Sequence, residues 1–230
     1  MTETKTCAWC KQENKSEYSR FCSEECAIKA YNAHCQHEWW TQCCVPNLQQ
    51  YKTPPEILLE KNPEAWAFAS VWKREINIYA WGGEGVGKTS LCKYLLCKEV
   101  DKGNTVQAPT MLSLQSISKR YDSEDYLYDY VSCKTLLLDD IHDPCLTQSG
   151  YSVLRMLIDT RHEAGRRTLI TTNKSPLDMT AHLNGICGEG FGIQFMRRLA
   201  PVKELPMTGT SYRKTINENV LSTLTQEKSL

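Results

Sequence analysis

The stretch that decides the fold is GGEGVGKT at residues 82–89. It follows EINIYAW at 75–81, a run typical of a β-strand, and precedes SLCKYLLCKEV at 90–100, which favours a helix. In a G-x-x-x-x-G-K-T pattern placed between a strand and a helix, the glycines let backbone N–H groups converge on phosphate oxygens. The positive end of the helix dipole adds to that attraction. The sequence therefore predicts a nucleotide-binding phosphate loop.

Two side chains of this loop have specific tasks in nucleotide binding. Lys88 reaches the β- and γ-phosphates, and the Thr89 hydroxyl is a ligand for Mg²⁺. The expected cofactors are therefore ATP and Mg²⁺. The residues expected to bind the cofactor are Gly83, Glu84, Gly85, Val86, Gly87, Lys88, Thr89 and Ser90.

A second strand ends in two carboxylates. The run TLLL at 135–138 is apolar throughout, as in a central parallel strand that is buried on both faces, and Asp139 and Asp140 follow it. Ligands collect at the carboxyl ends of such strands, beside the phosphate loop. We expect Asp139 to hold Mg²⁺ and Asp140 to be the base that polarises the attacking water.

A further β-prone run, RTLITT at 167–172, ends in the polar amide of Asn173. A helix-like segment at 151–164 precedes it, with apolar residues on one face. Asn173 is placed to orient the attacking water or to sense the γ-phosphate. An asparagine after a strand is also a common turn or cap residue, so both interpretations stay open.

The cysteines are concentrated near the N-terminus, where seven of the 12 precede residue 45. Cys7 and Cys10 are separated by two residues, and Cys22 and Cys26 by three, a spacing that suits four tetrahedral zinc ligands. Ser23 is a plausible N-cap for a helix that carries Cys26 in its first turn. This arrangement resembles treble-clef zinc fingers of the FCS and MYM type.

Four more metal-ligating residues follow this group: Cys35, His37, Cys43 and Cys44. They form a second metal site or pack against the rest of the chain, and we favour packing around a single zinc. Residues 1–50 hold five Lys or Arg against six Asp or Glu. Binding to DNA phosphates needs clustered positive charge, so this part is better suited to docking on a protein.

The composition excludes several classes of protein. The 230 residues carry 27 basic and 27 acidic side chains, so the chain is not histone-like, and its 41% of hydrophobic residues argue against disorder. No apolar run reaches the roughly 18 residues of a membrane span, so no membrane partner is expected. The N-terminal segment lacks the apolar core of a signal peptide, which predicts a cytoplasmic protein.

The order of the motifs closely resembles the AAA+ ATPases of the DnaC/DnaI helicase-loader and IstB type. GGEGVGKTSL, LLLDDI, TLITTNKS, RRL and GTSYR occur in the order of that family, between about residues 74 and 214. The resemblance implies a three-layer α/β/α fold with a five-stranded parallel sheet of order 5-1-4-3-2. It also implies that ATP binds between subunits.

The resemblance assigns further roles. Asn173 is sensor 1, Arg198 is the arginine finger that reaches the neighbouring subunit's site, and Arg213 is sensor 2. The adjacent Arg197 leaves the finger ambiguous by one residue. Many AAA+ enzymes have Glu where this chain has Asp140, which implies slow hydrolysis. The expected catalytic residues are Lys88, Asp140, Asn173, Arg198 and Arg213.

The charge is unevenly distributed within the ATPase segment. Residues 161–214 hold nine basic and four acidic side chains, whereas 120–145 hold two basic and seven acidic. One basic end and one acidic end suit head-to-tail assembly into a ring or spiral. The basic segment is equally suited to single-stranded DNA.

These expectations define four segments: a zinc-binding module at 1–50, a linker with a helix at 51–73, the ATPase at 74–214 and a polar tail at 215–230. The leading hypothesis is an ATP-dependent loader of a replicative DNA helicase, encoded by a phage or mobile element. Its partners would be the helicase, single-stranded DNA and further copies of the chain. The alternatives are an IstB-like transposition helper and a nucleotide-switch adaptor with negligible turnover.

Overall fold

The computed structural model describes residues 6–8, 10–12, 23–73, 75–119, 123–142, 144–209 and 211. The strands are β1 (Asn77–Gly82), β2 (Val106–Gln107), β3 (Thr135–Leu138), β4 (Arg167–Thr172) and β5 (Val202–Met207). The helices are α1 (Glu24–Thr41), α2 (Glu56–Lys61), α3 (Pro63–Val71), α4 (Lys88–Val100), α5 (Met111–Ile117), α6 (Ser123–Ser132), α7 (Gln148–Glu163), α8 (Pro176–Cys187) and α9 (Phe191–Arg198), with a 3-10 turn at Leu48–Tyr51.

The five strands form one parallel sheet of order β2-β3-β4-β1-β5. This is the expected order 5-1-4-3-2 counted from the other edge, so the predicted sheet is confirmed. β1 and β4 lie in the interior, where Ile78 pairs with Leu169 and Tyr79 with Ile170. Both faces of these strands are buried, which explains their continuous apolar sequences.

Helices cover both faces of the sheet, and successive strand residues point to opposite cores. On β1, Ile78 and Ala80 join the core that contains α3 and α4, whereas Tyr79 joins the core beneath α5 to α9. The same alternation separates Leu137 from Leu136 on β3. The result is the predicted three-layer α/β/α architecture.

The segment before residue 50 continues the core on the α4 face. Val45 and Leu48 are buried in that core, and the partly buried Trp39, Trp40 and Cys43 pack against it. Trp40 Nε1 donates to Asp101 Oδ1 at 2.9 Å, at the end of α4. The sequence predicts that the zinc-binding module ends at residue 50, but residues just before that point pack in the same core as α3 and α4.

The start of α1 agrees with the predicted capping. The Ser23 side chain accepts a hydrogen bond from the backbone N–H of Cys26 at 3.2 Å, and Glu24 and Glu25 occupy the first turn. Acidic side chains there are favoured by the helix dipole. Within the described ranges, no helix is long and apolar enough to cross a membrane.

Candidate functional site

The phosphate loop runs from the end of β1 to Lys88, the first residue of α4. Gly85 and Gly87 adopt φ angles of 69° and 100°, a left-handed conformation that side chains other than glycine rarely accept. A glycine-rich turn of this kind before a helix start lets backbone N–H groups face a bound anion.

Lys88 lies at the centre of the site and is only 7% exposed. Its Nζ donates to the carbonyl oxygens of Gly82 and Gly83 at 2.9 and 2.6 Å. It also donates to Asn173 Oδ1 at 2.8 Å, which joins the loop to the residue after β4. The Lys88 ammonium therefore donates to protein oxygens, whose place a phosphate oxygen would take.

Burial lowers the pKa of Lys88, because desolvation disfavours the charged amine. The negative charges of Asp140, Asp139 and Glu84 oppose that shift, in decreasing order. The site thus concentrates one buried cation and several carboxylates at the carboxyl edge of the sheet.

Asp139 directly follows β3 and receives two hydroxyl hydrogen bonds. Thr89 Oγ1 donates to its Oδ1 at 2.9 Å, and Thr171 Oγ1 donates to the same oxygen. A threonine hydroxyl and a carboxylate are the oxygen ligands that Mg²⁺ prefers, so these residues fit the expected magnesium site. Thr171 had no role in the sequence-based expectations.

Asp140 adopts φ 62°, and its backbone N–H donates to Thr171 Oγ1 at 2.9 Å. Its side chain is 58% exposed, and its Oδ1 lies 3.0 Å from Nδ1 of His142. His142 also contacts the Thr172 hydroxyl and both the backbone and the side chain of Asn173. The sequence had given His142 no function, and no local pattern marks it.

The structure brings Lys88, Thr89, Asp139, Asp140 and Asn173 together but places Arg198 elsewhere. Arg198 ends α9, and its Nε lies 3.3 Å from Asp159 Oδ1 on α7. Arg155 Nε is 3.5 Å from the same carboxylate, and Arg197 is exposed. Arg198 thus pairs with Asp159 on α7 of the same chain.

The expected sensor 2 residue, Arg213, lies outside the described residues, but Ser211 just before it is described. Ser211 Oγ lies so close to Gly85 that a Cβ at residue 85 would overlap it. Ser211 therefore packs on the phosphate loop.

The linker helices also support the phosphate loop, which sequence reasoning missed. Asn62, between α2 and α3, is 7% exposed. Its Nδ2 donates to Val86 O at 3.2 Å, and its Oδ1 accepts from the N–H of Thr208 at 3.0 Å. Leu58 packs beside Gly87, where a Cβ would come within 2.9 Å of its side chain.

Three of the expected zinc ligands come together. The sulfur atoms of Cys7, Cys10 and Cys26 all lie within 4.8 Å of one another, and Cys7 is buried. Thiolates at this separation are able to share one tetrahedral zinc ion, so the residues fit that metal. Cys22, the fourth expected ligand, lies outside the described residues.

The second set of metal-ligating residues is spread along α1 and the segment after it. Cys35 and Cys43 are partly buried, whereas His37 and Cys44 are exposed. In the ranges that the structure describes, the only group of three or more clustered metal-ligating side chains is Cys7, Cys10 and Cys26. Cys43 packs against the core on the α4 face.

Solved structures of replication proteins share this fold. The crystal structure of the DnaI is 17% identical with a TM-score of 0.51, and the match covers 69% of this chain and 93% of that one. The crystal structure of the DnaC helicase loader is 19% identical with a TM-score of 0.52, over 74% and 99% of the two chains. The chain therefore has an AAA+-like α/β fold.

A replication initiator DnaA bound to AMPPCP and single-stranded DNA is also similar, at 15% identity and a TM-score of 0.51. The match covers 77% of this chain and 56% of that protein, so this chain spans about half of its length. No protein-family model matches the sequence, and no curated protein matches it. The likeness to solved structures at these identities concerns the fold.

Proposed function

We propose that the chain is an ATP-dependent loader of a replicative DNA helicase, of phage or mobile-element type. The proposal rests on two hydrogen bonds. Lys88 Nζ donates to Asn173 Oδ1 at 2.8 Å, and Thr89 Oγ1 donates to Asp139 Oδ1 at 2.9 Å. These contacts join the phosphate loop to the ends of two parallel strands, on a fold shared with the DnaC helicase loader structure.

The residues of the site have distinct tasks in ATP hydrolysis. Lys88 exchanges the carbonyls of its own loop for the β- and γ-phosphates. Thr89 and Asp139 would hold Mg²⁺, which neutralises phosphate charge when it is bound. Asp140 takes a proton from the attacking water, and Asn173 orients that water. Asp140 is exposed enough to meet a water molecule, because 58% of its side chain is accessible.

Assembly of several copies completes the site in this proposal. Arg198 leaves Asp159 of its own subunit and reaches the γ-phosphate bound by the next one. The segment at 161–214 has a net charge of +5 and that at 120–145 a net charge of −5, from nine against four and two against seven charged residues. This opposition supports head-to-tail packing. The remaining basic surface would bind single-stranded DNA. Arg213 would act as sensor 2.

The N-terminal segment would grip the helicase. Cys7, Cys10, Cys22 and Cys26 would bind one zinc, which fixes the start of α1. We place the docking module at 1–50, the linker at 51–73, the ATPase at 74–214 and the tail at 215–230. The module has no positive excess, so a protein partner is favoured over DNA.

Capture by purified partners tests the proposal. Full-length chain is immobilised with an ATP analogue and exposed to a replicative helicase or, separately, to a transposase. The account predicts helicase capture that Cys26→Ser weakens at least about tenfold, since loss of a ligand unfolds the metal site. Capture of the transposase alone would establish the transposition helper instead. Nucleotide binding with negligible wild-type ATP turnover, no higher than that of Asp140→Asn, would support the nucleotide-switch adaptor.

A further inference from the structure

The Thr171 hydroxyl is hydrogen-bonded to both acidic residues that follow β3. Thr171 lies in β4 and is only 1% exposed, and its Oγ1 donates to Asp139 Oδ1. The same oxygen accepts from the backbone N–H of Asp140 at 2.9 Å. Because a backbone N–H only donates and a hydroxyl has a single proton, the Thr171 proton is directed at the Asp139 carboxylate. One buried side chain therefore links the expected magnesium ligand to the backbone of the expected base.

The backbone of Thr171 adds to this support. Its carbonyl oxygen accepts from the N–H of Ile141 at 3.1 Å, so Thr171 binds the N–H groups on both sides of the Asp140 Cα. Asp140 adopts φ 62°, a conformation that residues other than glycine rarely adopt and that persists where the surrounding structure holds it. Before this turn, Asp139 accepts from Thr89 of the phosphate loop at 2.9 Å, and after it the Asp140 side chain is 58% exposed. The turn thus separates a carboxylate tied to the phosphate loop from one that reaches solvent.

We propose that Thr171 is a positioning residue for the magnesium site and for the base. Its hydrogen bond to Asp139 keeps that carboxylate beside the Thr89 hydroxyl, so two oxygen ligands suited to Mg²⁺ stay adjacent. Its hydrogen bond from the Asp140 N–H keeps the left-handed conformation from which the Asp140 carboxylate takes the proton of the attacking water. Thr171 keeps its own proton throughout. The inference rests on the proposed ATPase function and adds a side chain on which metal binding and the base both depend.

Substitution of Thr171 separates positioning from structural support. Thr171→Val keeps the shape of the side chain and the carbonyl that binds Ile141, but it removes both hydrogen bonds of the hydroxyl. The affinity for a fluorescent ATP analogue in Mg²⁺ should fall about tenfold, and kcat about 10- to 100-fold, as for groups that orient metal ligands. In EDTA the affinity should stay within about twofold of wild type, because the substitution leaves the phosphate loop unchanged.

Two further variants are measured with Thr171→Val, all below their thermal transitions. Thr171→Ser keeps the hydroxyl and should recover both the affinity in Mg²⁺ and kcat to within about threefold. Thr135→Val is the matched control, because Thr135 is also a buried strand threonine and its hydroxyl makes no hydrogen bond within the residues that the structure describes. This control should equal wild type in both measurements.

The outcomes distinguish the inference from the proposed function. In Thr171→Val, an undiminished affinity in Mg²⁺, equal losses of affinity in Mg²⁺ and in EDTA, or an undiminished kcat would each overturn the inference. The proposed function would stand in those cases, because the wild-type chain would still bind the analogue and hydrolyse ATP. A wild-type chain that bound no analogue, or that turned over no ATP, would overturn the ATPase function and the inference with it.

Discussion

Asn62 offers a quantitative test of how the linker supports the phosphate loop. Its side chain donates to Val86 O at 3.2 Å and accepts from the N–H of Thr208 at 3.0 Å, and 7% of it is exposed. Asn62→Ala leaves the buried Val86 carbonyl in the loop without this partner, whereas the N–H of Thr208, an exposed residue just after β5, is able to turn to water. Water does not replace the lost donor at Val86, because that residue is only 1% exposed.

The expected loss follows from the buried Val86 carbonyl. An unsatisfied buried acceptor costs about 1–3 kcal/mol, so Asn62→Ala should lower the free energy of unfolding by about 1–3 kcal/mol. At about 2–4 °C per kcal/mol for a chain of this size, Tm should fall by roughly 2–12 °C. Asn62→Asp keeps the acceptor for Thr208 but turns a carboxylate oxygen toward Val86 O in a buried position, so a loss at least as large as that of Asn62→Ala is expected.

Thermal unfolding of full-length protein measures the effect, with and without an ATP analogue. Asn32→Ala, on the exposed side of α1, is the control and should leave Tm within about 1 °C. The stabilisation by the analogue should also shrink in Asn62→Ala, because Val86 belongs to the loop that meets phosphate. A Tm for Asn62→Ala equal to that of wild type would refute the proposed support.

Three further predictions concern other parts of the chain. Metal analysis should find about one zinc per chain, lost in Cys26→Ser, and an unchanged zinc content would contradict the assigned ligands. Arg161→Met should destabilise the chain by at least ~3 kcal/mol in denaturant unfolding, because Arg161 is fully buried and donates to the backbone carbonyls of Tyr130, Val131 and Cys133. Burial raises the pKa of Cys92. The free energy of unfolding should therefore fall by up to about 1.4 kcal/mol per pH unit above the unfolded thiol's pKa of roughly 8.5. The fall with pH should be less steep in Cys92→Ala, and equal slopes in the two proteins would contradict this.

Much of the sheet and part of the site could be predicted because the deciding patterns are local. The phosphate loop carries its own glycines, and each parallel strand contributes the polar residue that follows it. Since such strands end at one edge, Asp139 and Asn173 had to lie near Lys88. The same reasoning holds for the cysteine pair around residues 7–10 and the N-cap at Ser23, whose geometry depends on a few neighbouring residues.

The remaining contacts depend on partners that are distant in sequence. Asn62 forms hydrogen bonds with Val86 and Thr208, which are 24 and 146 residues away, and no pattern in the linker predicts either contact. His142 acquires its partners only when β3 and β4 pair, with Asn173 31 residues away. Charge composition likewise gave no sign that Arg198 would rest on Asp159. Tertiary packing, rather than propensity, sets these positions.

The measurement that most directly tests the central claim is ATP turnover in mixtures of two inactive variants. Lys88→Ala should fail to bind nucleotide, whereas Arg198→Ala should bind it without turnover. If the finger acts in the neighbouring site, a random equal mixture pairs an intact loop with an intact finger at about a quarter of the interfaces. The account predicts turnover near that fraction of the wild-type value, and a mixture as inactive as its components would contradict it.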